Sequence, residues 1–220
     1  MRLAVDATLV ARRLKGTGRV LVGLLRAFPA VAPDWELVAL ATREGSTVLE
    51  ESTVSAEIMT VPVGSGAIWE LHGFPHAAVD AKADFAMTLR EIVGFGGPPT
   101  LLHIAEPPSW RTGHGGRPLK HQLKDRLLSS MLSGSVRRAD LVTAASASTA
   151  DWLREHHGVI APVVPPGIDA FFFEPDKSSS DEGEYFLHAA SGDQRDNTNV
   201  VLRAFAESHL SSHGDEPNTV

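Results

Sequence analysis

Two rhythms of apolar positions alternate along this chain: short continuous runs, and stripes spaced by three or four residues. Leu3–Val5 is a run closed by Asp6. After a basic loop, Val20, Leu21, Leu24, Leu25 and Phe28 share one helical face, and Pro29 is expected to close that helix. Leu37–Leu40 and Ile58–Val63 read as strands, the second ended by Gly64-Ser65-Gly66. Trp69–Val79 reads as a helix interrupted at Gly73-Phe74-Pro75. Leu101–Ala105 lies between Pro98-Pro99 and Pro107-Pro108 and reads as a buried strand. A long helix is expected over 119–138, then a strand at Leu141–Ala144. Ser146 is placed to cap a helix from Ala147 to Glu155, with Gly158 as its stop. Val163–Val164 is a last short strand before Pro165-Pro166-Gly167. Repeated strand–helix units predict a Rossmann-like α/β domain over residues 1–170, a parallel sheet with helices on both faces.

The pattern changes beyond that point. Residues 171–184 are polar, acidic and turn-rich, and read as an exposed linker. A strand at Tyr185–Ala190, a loop and a helix at Val200–Leu210 then make one strand–helix unit without partners, an incomplete second α/β unit over 185–220. Its apolar side chains, Phe186, Val201 and Phe205 among them, make 185–210 a candidate for self-association.

Charge marks the same boundary. Of the net −7, residues 1–168 carry 17 Lys and Arg against 16 Asp and Glu, while 169–220 carry 3 against 11. Neither part has the concentrated basic face of a nucleic-acid binder, so that partner class is set aside. With 43% hydrophobic and 21% charged residues among 220, the chain suits a globular fold with a real core. No cysteine is present, which excludes disulfides, thiolate metal sites and cysteine nucleophiles. No apolar run reaches membrane-spanning length, and the N-terminus places its apolar run before its arginines, the reverse of a signal peptide. A cytoplasmic location is the expectation.

Four stretches carry a family resemblance. VDATLVARRLKGTGRVLVGLL is similar to the first strand, glycine loop and first helix of retaining GT-B glycosyltransferases, glycosyltransferase family 4. RRADLVTAASASTADWL resembles that family's strand-then-serine segment, VVPPGID its interdomain hinge, and HAASGDQRDNTNVVLRAFA the start of its donor-binding domain. The resemblance implies an enzyme that moves a sugar, with retention of configuration, from a nucleoside diphosphate sugar to an acceptor, without cofactor or metal. It also implies that the chain holds the acceptor-side domain and is cut off just after the second domain begins, so that it is inactive alone. The family's Glu-x7-Glu motif is missing; the pairs Glu36/Glu44 and Glu174/Glu182 have the spacing, but the first flanks a strand and turn and the second lies in the linker.

The candidate residues follow, each with two readings. Gly16 and Gly18 let backbone approach a ligand at a helix N-terminus, where Arg19 and the neighbouring Arg12, Arg13 and Lys15 could meet a phosphate; the alternative is a tight turn with solvated cations. The next glycine is Gly23, which breaks the dinucleotide-binding spacing. At the carboxyl end of Leu101–Ala105, where similar enzymes carry His-Asp, this chain has Ala105-Glu106. Glu106 is a candidate for an acceptor hydroxyl or a loop cap, and His103 for the cleft or the core. Trp110 and Arg111 suit sugar stacking and an anionic acceptor, or packing under a proline-rich loop. The basic helix 117–138 is either a peripheral contact with the inner membrane face or a solvated face. Arg195 stands at the family's diphosphate-holding arginine, but Asp196 occupies the lysine position and would repel a diphosphate. These departures leave a non-catalytic Rossmann-like binding or scaffold protein as the alternative.

Overall fold

The computed structural model describes residues 1–14, 16–64, 66–107, 130–168, 173, 186–189 and 197–212. The acidic linker apart from residue 173, Trp110, Arg111, Arg195 and the basic residues 117–126 lie outside them.

Six strands form one all-parallel sheet: β1 (Arg2–Asp6), β2 (Glu36–Ala41), β3 (Glu57–Thr60), β4 (Phe85–Thr88), β5 (Thr100–Ile104) and β6 (Leu141–Ala144). Their order is β3-β2-β1-β4-β5-β6, so the chain winds outward from β1 and then returns past it to the other side. Val5 is paired with Ala39 on one side and Met87 on the other, which fixes the register about β1. This is the Rossmann-like α/β architecture that the strand–helix alternation predicts.

Helices cover both faces because the strands are apolar on both. Leu3, Val5, Leu37 and Ala39 pack under α1 (Gly16–Val31) and α2 (Arg43–Glu51), against Leu21, Leu25 and Leu49. Ala4, Val38, Leu40 and Ala86 pack on the other face against Trp69, Phe74 and Ala78. Those three belong to one helical stretch: α3 (Gly66–Ile68), a π-helical turn at Trp69–Gly73, and α4 (Phe74–Asp80). Farther along, Leu102, Ile104, Val142 and Ala144 meet Leu132 and Val136 of α5 (130–138) and Leu153 of α6 (Ala147–His157). Each fully buried leucine contributes about 1.5–3 kcal/mol.

Several boundaries differ from the sequence reading. Helix α1 runs through Pro29 to Val31; the missing N–H falls in the last turn, and Ala32 still donates to the Phe28 carbonyl at 2.9 Å. Strand β3 ends at Thr60, since Pro62 has no N–H to continue the ladder after Val61 bonds Ala41. Helix α2 and strand β4 were not expected at all. Glu44 therefore sits in a helix's first turn rather than a turn beside a strand. Residues 186–189 pair with no strand, because no neighbouring edge is offered to them among the described residues. The helix after them, α7, spans Thr198–Ser212.

Between β4 and β5 the connection 89–99 holds no helix. Arg138 of α5 donates through Nε and Nη2 to the Val93 carbonyl at 2.9 and 2.6 Å and lies 4.5 Å over the Phe95 ring. Ser135 Oγ accepts from Val93 N–H at 2.9 Å. At the amino end of the sheet, Arg2 joins Glu36 and Glu57 at 2.8 and 2.6 Å.

Candidate functional site

An all-parallel sheet gathers every strand's carboxyl end on one side. Between β1 and β4 the winding reverses, and such a switch point is the usual ligand position in open α/β sheets. The loop after β1 (residues 7–14) and the turn after β5 (Ala105-Glu106) stand at that same end.

The β1 loop is shaped by close approaches. A Cβ on Gly18 would lie 3.2 Å from the Leu9 carbonyl oxygen, and one on Gly45 would lie 2.8 Å from that of Val10. A side chain at Gly45 would thus force backbone to move, and one at Gly18 would require its neighbours to give slightly. Gly16 is exposed, Gly18 buried, and Arg19 exposed with Nε 3.5 Å from the Leu14 carbonyl. Glu44 accepts from Arg12 N–H at 3.0 Å, tying α2's first turn to the loop.

Beneath the loop lies a buried polar cluster. Both Thr8 N–H and Thr8 Oγ1–H donate to Asp6 Oδ1, at 3.1 and 2.6 Å. Trp69 Nε1 donates to Asp6 Oδ2 at 3.3 Å. From the end of β4, Arg90 reaches all three segments: Nη1 donates to Glu70 Oε1 at 2.8 Å, Nη2 to Thr8 Oγ1 at 3.0 Å, and Nε lies 3.4 Å from Asp6 Oδ2. That last distance is an ion pair without hydrogen-bond geometry. Asp6 is 1% exposed. Burial raises the Glu70 carboxyl above its ordinary value, and Arg90 offsets only part of this. Glu70 is presented by the π-helical turn, a distortion frequent at functional sites. That turn is packed on glycines: a Cβ on Gly73 would meet the Trp69 ring, and one on Gly94 would strike the Leu71 carbonyl.

At the β5–β6 side, His103 is buried with Nδ1 2.9 Å from Thr143 Oγ1. Burial lowers its pKa, favouring the neutral imidazole. Glu106 is half-buried at the turn after β5, where Ala105 is exposed. Ser146 caps α6 by accepting from Thr149 N–H at 3.2 Å, and Thr149 Oγ1 donates to the Ala105 carbonyl at 3.4 Å. His156, stacked on Trp152 at 4.8 Å between centroids, faces the Trp152 carbonyl through Nδ1.

The structure thus brings Gly16, Gly18 and Glu106 to one end of the sheet, with Arg19 in the first turn of α1 and His103 one residue inside β5. Asp6, Thr8, Trp69, Glu70 and Arg90 escaped the sequence reading. Asp6 was visible as the residue closing a strand; Arg90 was hidden because the four-residue β4, Phe-Ala-Met-Thr, gives too short a pattern to place it.

A doubly wound parallel sheet with a glycine-shaped first loop at its switch point defines an α/β domain of the kind that takes ligands at strand carboxyl ends. Residues 14–170 match the model of Glycosyltransferase Family 4, and the chain belongs to that family. No curated protein matches it. Two solved structures are similar. One is HepE of Anabaena, solved in complex with UDP and glucose: 14% identity, 78% of this chain and 46% of that chain covered, TM-score 0.47. The other is MurG of Acinetobacter baumannii: 17% identity, 81% and 49% covered, TM-score 0.38. The chain therefore spans about half the length of these proteins.

Proposed function

We propose that this chain is the acceptor-side domain of a retaining GT-B glycosyltransferase that moves a sugar from a nucleoside diphosphate to an acceptor hydroxyl. On this reading residues 171–184 are the linker and 185–220 open the donor-binding domain. The observation that carries it is the family match over 14–170 on a domain whose glycine loop stands at the ligand end of the sheet. Gly16 and Gly18 let the loop backbone and the N-terminus of α1 approach the donor phosphates, with Arg19 and, from the second domain, Arg195 supplying positive charge. Preorganised charge at the departing diphosphate is the main catalytic contribution. Glu106 takes the acceptor hydroxyl, neutral His103 supports it from the strand, and Trp110 and Arg111 line the acceptor's path. The basic helix 117–138 is the region for a peripheral membrane contact at the cytoplasmic face; no described helix is long and apolar enough to cross a membrane.

The test joins the chain to a donor-binding half, supplies nucleoside diphosphate sugars, and follows diphosphate release and product anomer by NMR. Retention, with loss of transfer on Gly18→Trp, supports the reading; inversion refutes the retaining mechanism. The chain alone is expected to show no sustained turnover, because one domain cannot supply the positioning that closure gives, worth several kcal/mol of barrier. Robust turnover by the purified chain, abolished by Gly16→Trp, would refute that expectation. A second reading, a non-catalytic binding protein, is favoured by Ala105 where an acidic or histidine side chain would serve chemistry; binding of sugar nucleotides without transfer by the joined protein would establish it.

A further inference from the structure

Buried ion clusters are weak contributors to stability, so one at the switch point of the sheet calls for another explanation. Arg90 is anchored first through its backbone, its N–H donating to Thr88 Oγ1 at 3.1 Å at the end of β4. Its guanidinium then joins two stretches far apart in sequence: the β1 end with its loop, through Asp6 and Thr8, and the π-helical turn, through Glu70. Of these contacts the one to Thr8 has consequences for the loop. Thr8 Oγ1 gives its proton to Asp6 and accepts from Arg90, so both sides of the hydroxyl are engaged and its rotamer is fixed. Leu9 follows directly, and its carbonyl oxygen would lie 3.2 Å from a Cβ at Gly18, so the loop runs close against the first turn of α1. Val10 comes next, with its carbonyl against Gly45 of α2. A continuous chain of contacts thus runs from Arg90 through Thr8 and Leu9 to the glycine that sets the start of α1.

We propose that Arg90 is a positioning residue: by holding Thr8 against Asp6 it fixes the pose of the loop 7–18 and the exposed N-terminus of α1. A lysine would not serve, because one ammonium cannot span the Thr8, Glu70 and Asp6 oxygens together as a planar guanidinium does. Arg90 need not touch the ligand itself. What it supplies is a loop already ordered when the ligand arrives, so that no ordering cost falls on binding. The ligand side of this statement rests on the function proposed above; the loop side does not.

The experiment therefore has two arms on the whole chain, comparing wild type, Thr8→Val, Arg90→Lys and, as a control at the opposite end of the sheet, Arg2→Met. Thr8→Val keeps the side chain's shape and the Arg90–Glu70 pair while cutting the link to the loop. Hydrogen exchange is read first. Thr8→Val and Arg90→Lys are expected to speed exchange at amides 8–20 about five- to tenfold, the worth of one hydrogen bond, with the amides of Leu37–Leu40 and Leu102–Ile104 unchanged. Uniform acceleration across the sheet, the same loop-selective change in Arg2→Met, or no change in either Thr8→Val or Arg90→Lys overturns the proposal. The second arm titrates inorganic pyrophosphate by NMR. Weaker binding in both loop variants, with α1 amides failing to shift, supports the positioning role. Binding as tight as wild type despite a loosened loop overturns it. If wild type binds no pyrophosphate, the phosphate role of the loop fails, and the exchange result alone decides for or against Arg90.

Discussion

At the residue scale, burial without a countercharge leaves a legible pH signature. His103 has Thr143 as its hydrogen-bond partner, and burial is what lowers its pKa from 6.5. In the unfolded chain the imidazole keeps its ordinary value, so just below pH 6.5 the unfolded state binds the proton more readily. Stability from this group is full above that pH and falls as the pH drops through it. His157 has a pKa lowered by burial and by His156 and Arg137, and works in the same direction. Glu70 runs the other way: a raised carboxyl value means its favourable share is present at low pH and lost as the pH climbs above 4.5. His103→Gln, which keeps a hydrogen bond to Thr143, is expected to flatten the loss of stability between pH 7 and 5 in urea titrations. An unchanged slope would show that the imidazole is not buried neutral.

Elements differ in how openly the sequence announces them. Helix α6 was readable in its start and its stop residue, though it runs two residues past the expected Glu155 to His157, because its signals are local: Ser146 caps, Gly158 stops in the left-handed region at φ 69°. Ser146→Ala is expected to cost about 1 kcal/mol, the usual worth of such a cap, measured as a shift in urea midpoint at unchanged slope. Strand β6 was equally plain, a run of apolar residues between turn signals. By contrast, β4 and α2 were hidden. Four residues carry too few alternations to reveal a strand, and α2 shows the core little more than Val48 and Leu49 among polar neighbours. The missing β4 took Arg90 with it, and so the polar cluster at the switch point could not be assembled from sequence, although Asp6 stood in view. The π-helical turn was half legible: Gly73-Phe74-Pro75 signalled an interruption, but only packing explains why the helix continues. Its backbone carries the Leu71 carbonyl against Gly94, with Pro75 beside them. Gly94→Ala is therefore expected to cost about 1–3 kcal/mol and to shift the Trp69 and Glu70 resonances, since backbone rather than a flexible side chain must yield. Full stability with unmoved resonances would show that the turn is not held by this contact.

At the scale of the whole molecule, the six-stranded sheet and its two covered faces account for the described residues up to 168, while the helix α7 stands apart in kind. Phe186 is 65% exposed, Leu187 80% and Phe205 46%, with Val200 and Leu202 also exposed. The Phe186 and Phe205 rings approach to 6.0 Å, a contact of this segment with itself. Among the described residues α7 packs extensively on no sheet element. Exposed apolar area of this kind forgoes about 25 cal/mol per Å² relative to burial, so several such side chains together leave several kcal/mol available to any surface that covers them. The first domain's own faces are already occupied by α1, α2, α4, α5 and α6. The same segment of another copy offers a matching apolar surface. Sedimentation velocity over a wide range of loading concentrations is expected to show a rising weight-average sedimentation coefficient. Phe205→Ser should abolish that rise while leaving the far-UV spectrum of the sheet domain intact. A wild-type chain that stays monomeric throughout, or a Phe205→Ser variant that associates as strongly, would mean that α7 is not the contact.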